Sequence, residues 1–193
     1  RSRHQWLRHF FDHGNALCHP TALIRREVYQ TVGLYDPRLA QVPDLDQWIR
    51  VCMRYDIHVL PEPLTAFRIR SQQQNASAAR PEVVRRDAWE RACILHHYLQ
   101  LPPAQLLQIF PEFAAGHPAS LTEQLARHAL GLGTPFHQRF ALDAWFQALP
   151  PGGHLDQHDR ASQAARQLAD RDPTAWQRYI AASGATDPHR IHA

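Results

Sequence analysis

The sequence predicts an α+β chain that is predominantly helical, with a mixed first half over residues 1–79 and an all-helical remainder over 80–193. Two observations lead there. Before residue 80, short aliphatic runs such as Ile57 to Leu60 alternate with stretches whose apolar residues recur every three or four positions. After Pro81 only the helical spacing continues. A chain of 193 residues that is 44% hydrophobic and 20% charged has the make-up of a globular protein, and can bury a core as one domain or two small lobes.

The elements follow in order. Asn15 to His19 reads as a short extended run ended by Pro20. Arg25 to Val32 predicts a helix with Ile24, Val28 and Val32 on one face, stopped by Gly33 as its C-cap, and Tyr35-Asp36-Pro37 makes a turn. A second helix starts near Asp44, because Leu45, Trp48, Ile49, Cys52 and Met53 form one apolar stripe and the acids Asp44 and Asp46 suit its positive end. Ile57 to Leu60 and Leu64 to Ile69 predict strands separated by Pro61-Glu62-Pro63, with a polar loop over 71–79. Val84, Ala88, Ala92, Leu95 and Leu99 predict the buried stripe of a long helix ending near Pro102-Pro103. Ala104 to Phe110 is a short helix introduced by those prolines, and Ser120-Leu-Thr-Glu123 has capping-box spacing for a helix through Leu130. A helix from Phe136 to Leu149, a linker at Pro150-Pro151-Gly152-Gly153, helices at 159–168 and 173–182, and a frayed tail complete the expectation.

Composition narrows the function classes. All 21 basic residues are Arg, and residues 1–91 hold 14 of them against 10 acids, a balance of +4. Residues 92–193 hold 7 Arg against 8 acids, or −1. The basic first half suits an anionic ligand such as a nucleotide diphosphate. No Arg stripe with interleaved aromatics argues for nucleic acid. No apolar run reaches the roughly 20 residues of a membrane helix, so no transmembrane segment is expected. Cys18, Cys52 and Cys93 lack CxxC spacing and predict reduced, mostly buried thiols in a cytoplasmic setting. The 14 His are scattered without a zinc pattern. The chain opens on Arg1-Ser2-Arg3-His4 with neither an initiator Met nor a signal-peptide pattern, and is expected to be a piece of a longer protein.

One ordered series of motifs carries the functional expectation: Gly14-Asn15, Cys18-His19-Pro20-Thr21, Ile24-Arg25-Arg26-Glu27-Val28, Val32-Gly33-Leu34-Tyr35-Asp36, Asp44-Leu-Asp-Gln-Trp48, then Ile57 to Leu64 and Phe67-Arg68. In order and spacing, residues 10–75 resemble the C-terminal half of the family 2 inverting glycosyltransferases, which have a GT-A-type α/β fold. The resemblance implies a nucleotide-sugar donor, a glycan or lipid-linked hydroxyl acceptor, and Mg²⁺ or Mn²⁺ held mostly by residues outside this chain. It also implies a bacterial enzyme, cytoplasmic or peripheral at the inner face of the membrane, whose present piece is inactive alone. In that family the acid four residues before the Trp is the catalytic base, and Asp44 holds that position. Inversion needs such a group, because the acceptor hydroxyl must lose its proton while attacking from the face opposite the leaving nucleotide.

Departures and alternatives accompany each residue. Pro43 stands where the family usually has Glu, and Arg70 stands where it often has His after Arg68. Asp44 would equally serve as a helix N-cap. Asn15 and His19 fall in stretches that line the substrate in relatives, while a His after a strand is also a common structural residue. Trp48 lies on the apolar stripe, as core or as a sugar platform. Arg68 and Arg70 suit a diphosphate or plain surface. Asp44-Leu-Asp46 spells DxD, but a metal-binding DxD follows an apolar strand and Arg38 to Pro43 is not one. The competing expectation is a non-catalytic module whose helices bind a protein partner or self-associate.

Overall fold

The computed structural model describes residues 1–66, 80–114 and 120–148. The chain divides into two compact units, Arg1–Ala115 and Gly116–Ala193. Side chains beyond residue 80, Tyr98 and Phe110 among them, complete the core of the first unit.

The first unit contains α1 (Arg3–His13), α2 (Arg26–Val32), α3 (Pro43–Cys52), α4 (Pro81–Leu95), a 3₁₀ turn over His96–Gln100, and α5 (Pro103–Ile109). Helix α1 was not expected from the sequence. Its start is a capping box, with Ser2 Oγ accepting from Gln5 N at 3.3 Å and the Ser2 amide donating to Gln5 Oε1 at 2.8 Å. Trp6, Leu7, Phe10 and Phe11 are its buried face. Phe11 meets Tyr98 and Phe110 edge-on at 4.9 and 5.3 Å, and the Tyr98 hydroxyl donates to Leu7 O at 2.7 Å. Burying each such aromatic side chain contributes on the order of 1.5–3 kcal/mol. Helices α3 and α5 both pack on α1. The end of α3 is closed by them, since Met53 O accepts from Arg3 Nη1 at 3.1 Å and from Gln105 Nε2 at 2.9 Å.

Along α4 the buried positions are Val83, Glu90, Ala92, Ile94 and Leu95, followed by Tyr98, while Val84 is exposed. The expected stripe through Val84 and Ala88 is thus displaced. A carboxylate and a phenol, each hydrogen-bonded, occupy places that a purely apolar count passes over.

Among the described residues every regular element is helical, so the chain is predominantly helical and the expected strands are missing. Ile57 to Leu60 is not helical, but no neighbouring chain pairs with it among the described residues. A hydrophobic run becomes a strand only when a ladder satisfies its backbone. Of the second expected strand, residues 64–66 are likewise unpaired among the described residues, and the rest lies outside them, with the 71–79 loop and everything after residue 148. The thiols also differ from expectation. None of the three cysteines is in a disulfide, but only Cys52 is buried, its thiol pushed up to about 12 by burial and by Asp56.

The second unit shows α6 (Leu121–Leu132) packed on α7 (Pro135–Ala148) as a helical hairpin. Ser120 caps α6, accepting from Glu123 N at 3.2 Å, as its spacing predicts. Gly133 ends it in the left-handed region at φ 71°, a conformation that favours glycine. Ala126, Ala129, Ala141 and Ala144 are buried between the two helices, where small side chains let the backbones approach. No helix among the described residues is long and apolar enough to cross a membrane.

Candidate functional site

The site begins where α1 ends. Gly14 leaves α1 at φ 84°, and an added Cβ there would collide with the Arg91 guanidinium. The turn delivers Asn15, whose Oδ1 accepts from Leu17 N at 2.9 Å. That bond fixes the amide group, so its NH₂ faces Asp44 and donates to Oδ2 at 2.7 Å. Cys18 to Thr21 form the next turn, held by Thr21 Oγ1 donating to Cys18 O at 2.7 Å. It presents His19, exposed, with Nδ1 3.8 Å from the same Asp44 oxygen.

Asp44 is in the first turn of α3, with its side chain 19% exposed. Its Oδ1 accepts from the amide of Leu45 at 2.9 Å. A carboxylate offers about four lone-pair sites. Two are engaged here by Leu45 and Asn15, which leaves acceptor capacity beside His19. Three residues expected from the sequence, Asn15, His19 and Asp44, are therefore brought together.

Asp46, two residues on, faces the opposite way and is 4% exposed. Oδ2 accepts from Arg50 Nε at 2.9 Å and Nη2 at 2.8 Å, and Oδ1 lies 2.7 Å from His97 Nε2. Burial raises its pKa, but the bonds from His97 and Arg50 outweigh that and hold it below the ordinary carboxylate value. Arg50 reaches further, donating to Val32 O and, at 2.9 Å, to Leu34 O. Gln47 Nε2 donates to Gly33 O at 3.1 Å. Together these groups fasten the end of α2 to α3 and engage both oxygens of Asp46. Beyond Leu34, Tyr35 stands half-exposed beside Tyr29, its hydroxyl pushed up to about 12 by burial, by Tyr29 and by the charge of Asp44.

A groove of about 790 Å³ runs between the 17–28 and 55–65 segments, lined by Leu17, Leu23, Trp48, Ile57, Leu60 and Leu64 among others. Asp44 is not among its lining residues, but stands one helical turn before Trp48 on the same face of α3. Trp48 itself is 3% exposed, so its ring is core material at the groove and not an open sugar platform, and its indole N–H has no partner among the described residues. Arg68 and Arg70 lie outside the described residues.

Two participants were missed by the sequence reading, His97 and Glu90. His97 follows His96 in sequence and the two diverge: His96 turns back to Ala92 O at 3.0 Å while His97 meets Asp46. Glu90 carried a readable signal, since it falls seven residues after Val83 and four before Ile94 on the buried face. No group of three or more His, Cys, Asp or Glu among the described residues is placed to hold a metal ion. No protein-family model, curated protein or solved structure matches the chain.

Proposed function

We propose that the chain is the acceptor-side part of an inverting, nucleotide-sugar-dependent glycosyltransferase, with Asp44 as its general base. The observation that supports this most is the placing of Asp44: a partly exposed carboxylate at a helix start, oriented by Asn15, beside an exposed His19. In the reaction the acceptor hydroxyl gives its proton to Asp44 as its oxygen attacks the anomeric carbon. The bond from that carbon to the nucleotide diphosphate breaks on the opposite face. Asn15 keeps one carboxylate oxygen aimed, and His19 hydrogen-bonds the acceptor. Of the glycan and lipid-linked acceptors expected from the sequence, the second suits the groove better, because a hydrocarbon chain fits its apolar lining. Arg68 and Arg70 belong to the diphosphate side. No donor set for Mg²⁺ or Mn²⁺ exists among the described residues, so the cation of this reading binds elsewhere and no step here runs through it. The enzyme works in the bacterial cytoplasm or at the inner face of the membrane.

The test is sugar transfer by the full-length enzyme with Asp44→Asn. Turnover falls by on the order of 10²–10⁴-fold, while nucleotide-sugar affinity, measured by calorimetry, stays within about threefold of wild type. Turnover within a few-fold of wild type refutes the assignment.

A second reading, a helical module that binds a protein partner or a second copy, is favoured by exposed Val84 and Trp89 on α4 and by Pro43 in place of an acid. Absence of any nucleotide-diphosphate binding heat, with metal present, would support it over the enzyme.

A further inference from the structure

The helices after residue 80 have no part in the proposed chemistry, yet one of their side chains governs how α3 begins. Glu90 is 0% exposed. Its Oε1 accepts from Ala40 N at 2.8 Å, and its Oε2 accepts from Gln41 N at 2.7 Å and Val42 N at 3.1 Å. Arg86 Nε completes the set at 2.6 Å from Oε1, and Arg86 Nη2 holds Arg38 O at 3.1 Å. Four donors thus meet two oxygens, which uses the capacity of the carboxylate. Helix α3 has no capping side chain of its own, because its N-cap is Val42 and its first residue is Pro43. The backbone leading into it is instead gripped from α4.

Asp44 comes two residues after the last gripped amide, and one of the two is a proline whose φ is locked. Little freedom remains between the grip and the carboxylate. The geometry points to Glu90 as a positioning residue for Asp44: through the amides of residues 40–42 it sets where that carboxylate stands against Asn15 and His19. The kinetic side of this inference rests on Asp44 being the base; the positional side does not.

Glu90→Gln tests it, since one oxygen becomes an NH₂ group facing backbone donors. Tyr98→Phe is the control for stability alone, because it removes a buried hydrogen bond to Leu7 O on α1, away from the start of α3. In the full-length enzyme, Glu90→Gln lowers kcat by on the order of 10²-fold with KM for both substrates within about threefold, as expected for a misplaced catalytic group. Tyr98→Phe, at a similar loss of thermal stability, leaves kcat unchanged. By NMR of the full chain, Glu90→Gln moves the Asn15 side-chain NH₂ signals and speeds amide exchange at residues 40–45, and Tyr98→Phe does neither. Equal losses of kcat in the two variants would overturn the proposal, as would an Asn15 signal that does not respond to Glu90→Gln. The NMR readout needs no turnover. A wild-type enzyme that transfers nothing would strike the proposed function, while the position of Asp44 would still be decided by the Asn15 signal.

Discussion

Replacing Asp46 by Asn probes the cluster that fastens α2 to α3. Asp46 is 4% exposed and accepts from Arg50 at 2.9 and 2.8 Å while lying 2.7 Å from His97. Asn keeps the shape but removes the charge and turns one acceptor into a donor facing a cation. Breaking a buried pair by removing one partner costs about 3–5 kcal/mol. Arg50 retains its bonds to Leu34 O and Gln47 Oε1, at 2.9 and 2.7 Å, so the lower end, about 3 kcal/mol, is expected. With a urea m-value of about 1–3 kcal/mol/M, the unfolding midpoint falls by roughly 1–3 M at unchanged slope. The pH dependence gives a second check. Asp46 and Glu90 both have pKa values below their ordinary 3.8 and 4.5 in the fold. For Glu90 burial raises the value, and the Ala40 amide, Arg86 and the other two amides outweigh it. Groups lowered in this way lend their full stabilisation above the ordinary carboxylate range and lose it as pH falls through the folded values. Wild-type stability therefore drops as the pH is taken down through 4.5 and 3.8 and below, and the gap between wild type and Asp46→Asn narrows over the Asp46 part of that range. A midpoint shift under about 0.3 M at pH 7, or a gap that stays constant to pH 2, would refute the reasoning.

Other consequences are smaller and separately measurable. Ser2→Ala removes the capping box of α1 and lowers stability by about 1 kcal/mol in urea unfolding, whereas Ser2→Asp preserves most of it. Gly14→Ala must both adopt φ 84° and displace Arg91, so it costs more than 1 kcal/mol, and Asn15 no longer meets Asp44 in the Asn15 side-chain NMR spectrum.

Much of this architecture was legible in the chain, and the reasons divide by residue. The stripe Leu45, Trp48, Ile49 and Cys52 marked α3, and all four are buried. Gly33 marked the end of α2 at φ 84°, and Ser120 marked the start of α6. Helix α1 went unread because Arg and His interleave its apolar residues, although Ser2 and Gln5 carry capping-box spacing. Ile57 to Leu60 has the composition of a strand, but strand pairing is settled by a partner that composition does not name. At the site, Asn15, His19 and Asp44 were readable as a series and the structure unites them, whereas Trp48 is core. Local spacing puts Glu90 on the buried face of α4, but its partner Val42 and that of His97 lie 48 and 51 residues away, and no local pattern names partners at that range.

On the proposed glycosyltransferase reading, Asp44 and not its neighbour Asp46 takes the acceptor's proton. The decisive measurement for that reading compares sugar transfer per folded molecule in the Asp44→Asn and Asp46→Asn variants, below the denaturation range of both. Transfer abolished by the first substitution and retained within about tenfold by the second is the expected result. Transfer that survives loss of the Asp44 carboxylate would contradict it.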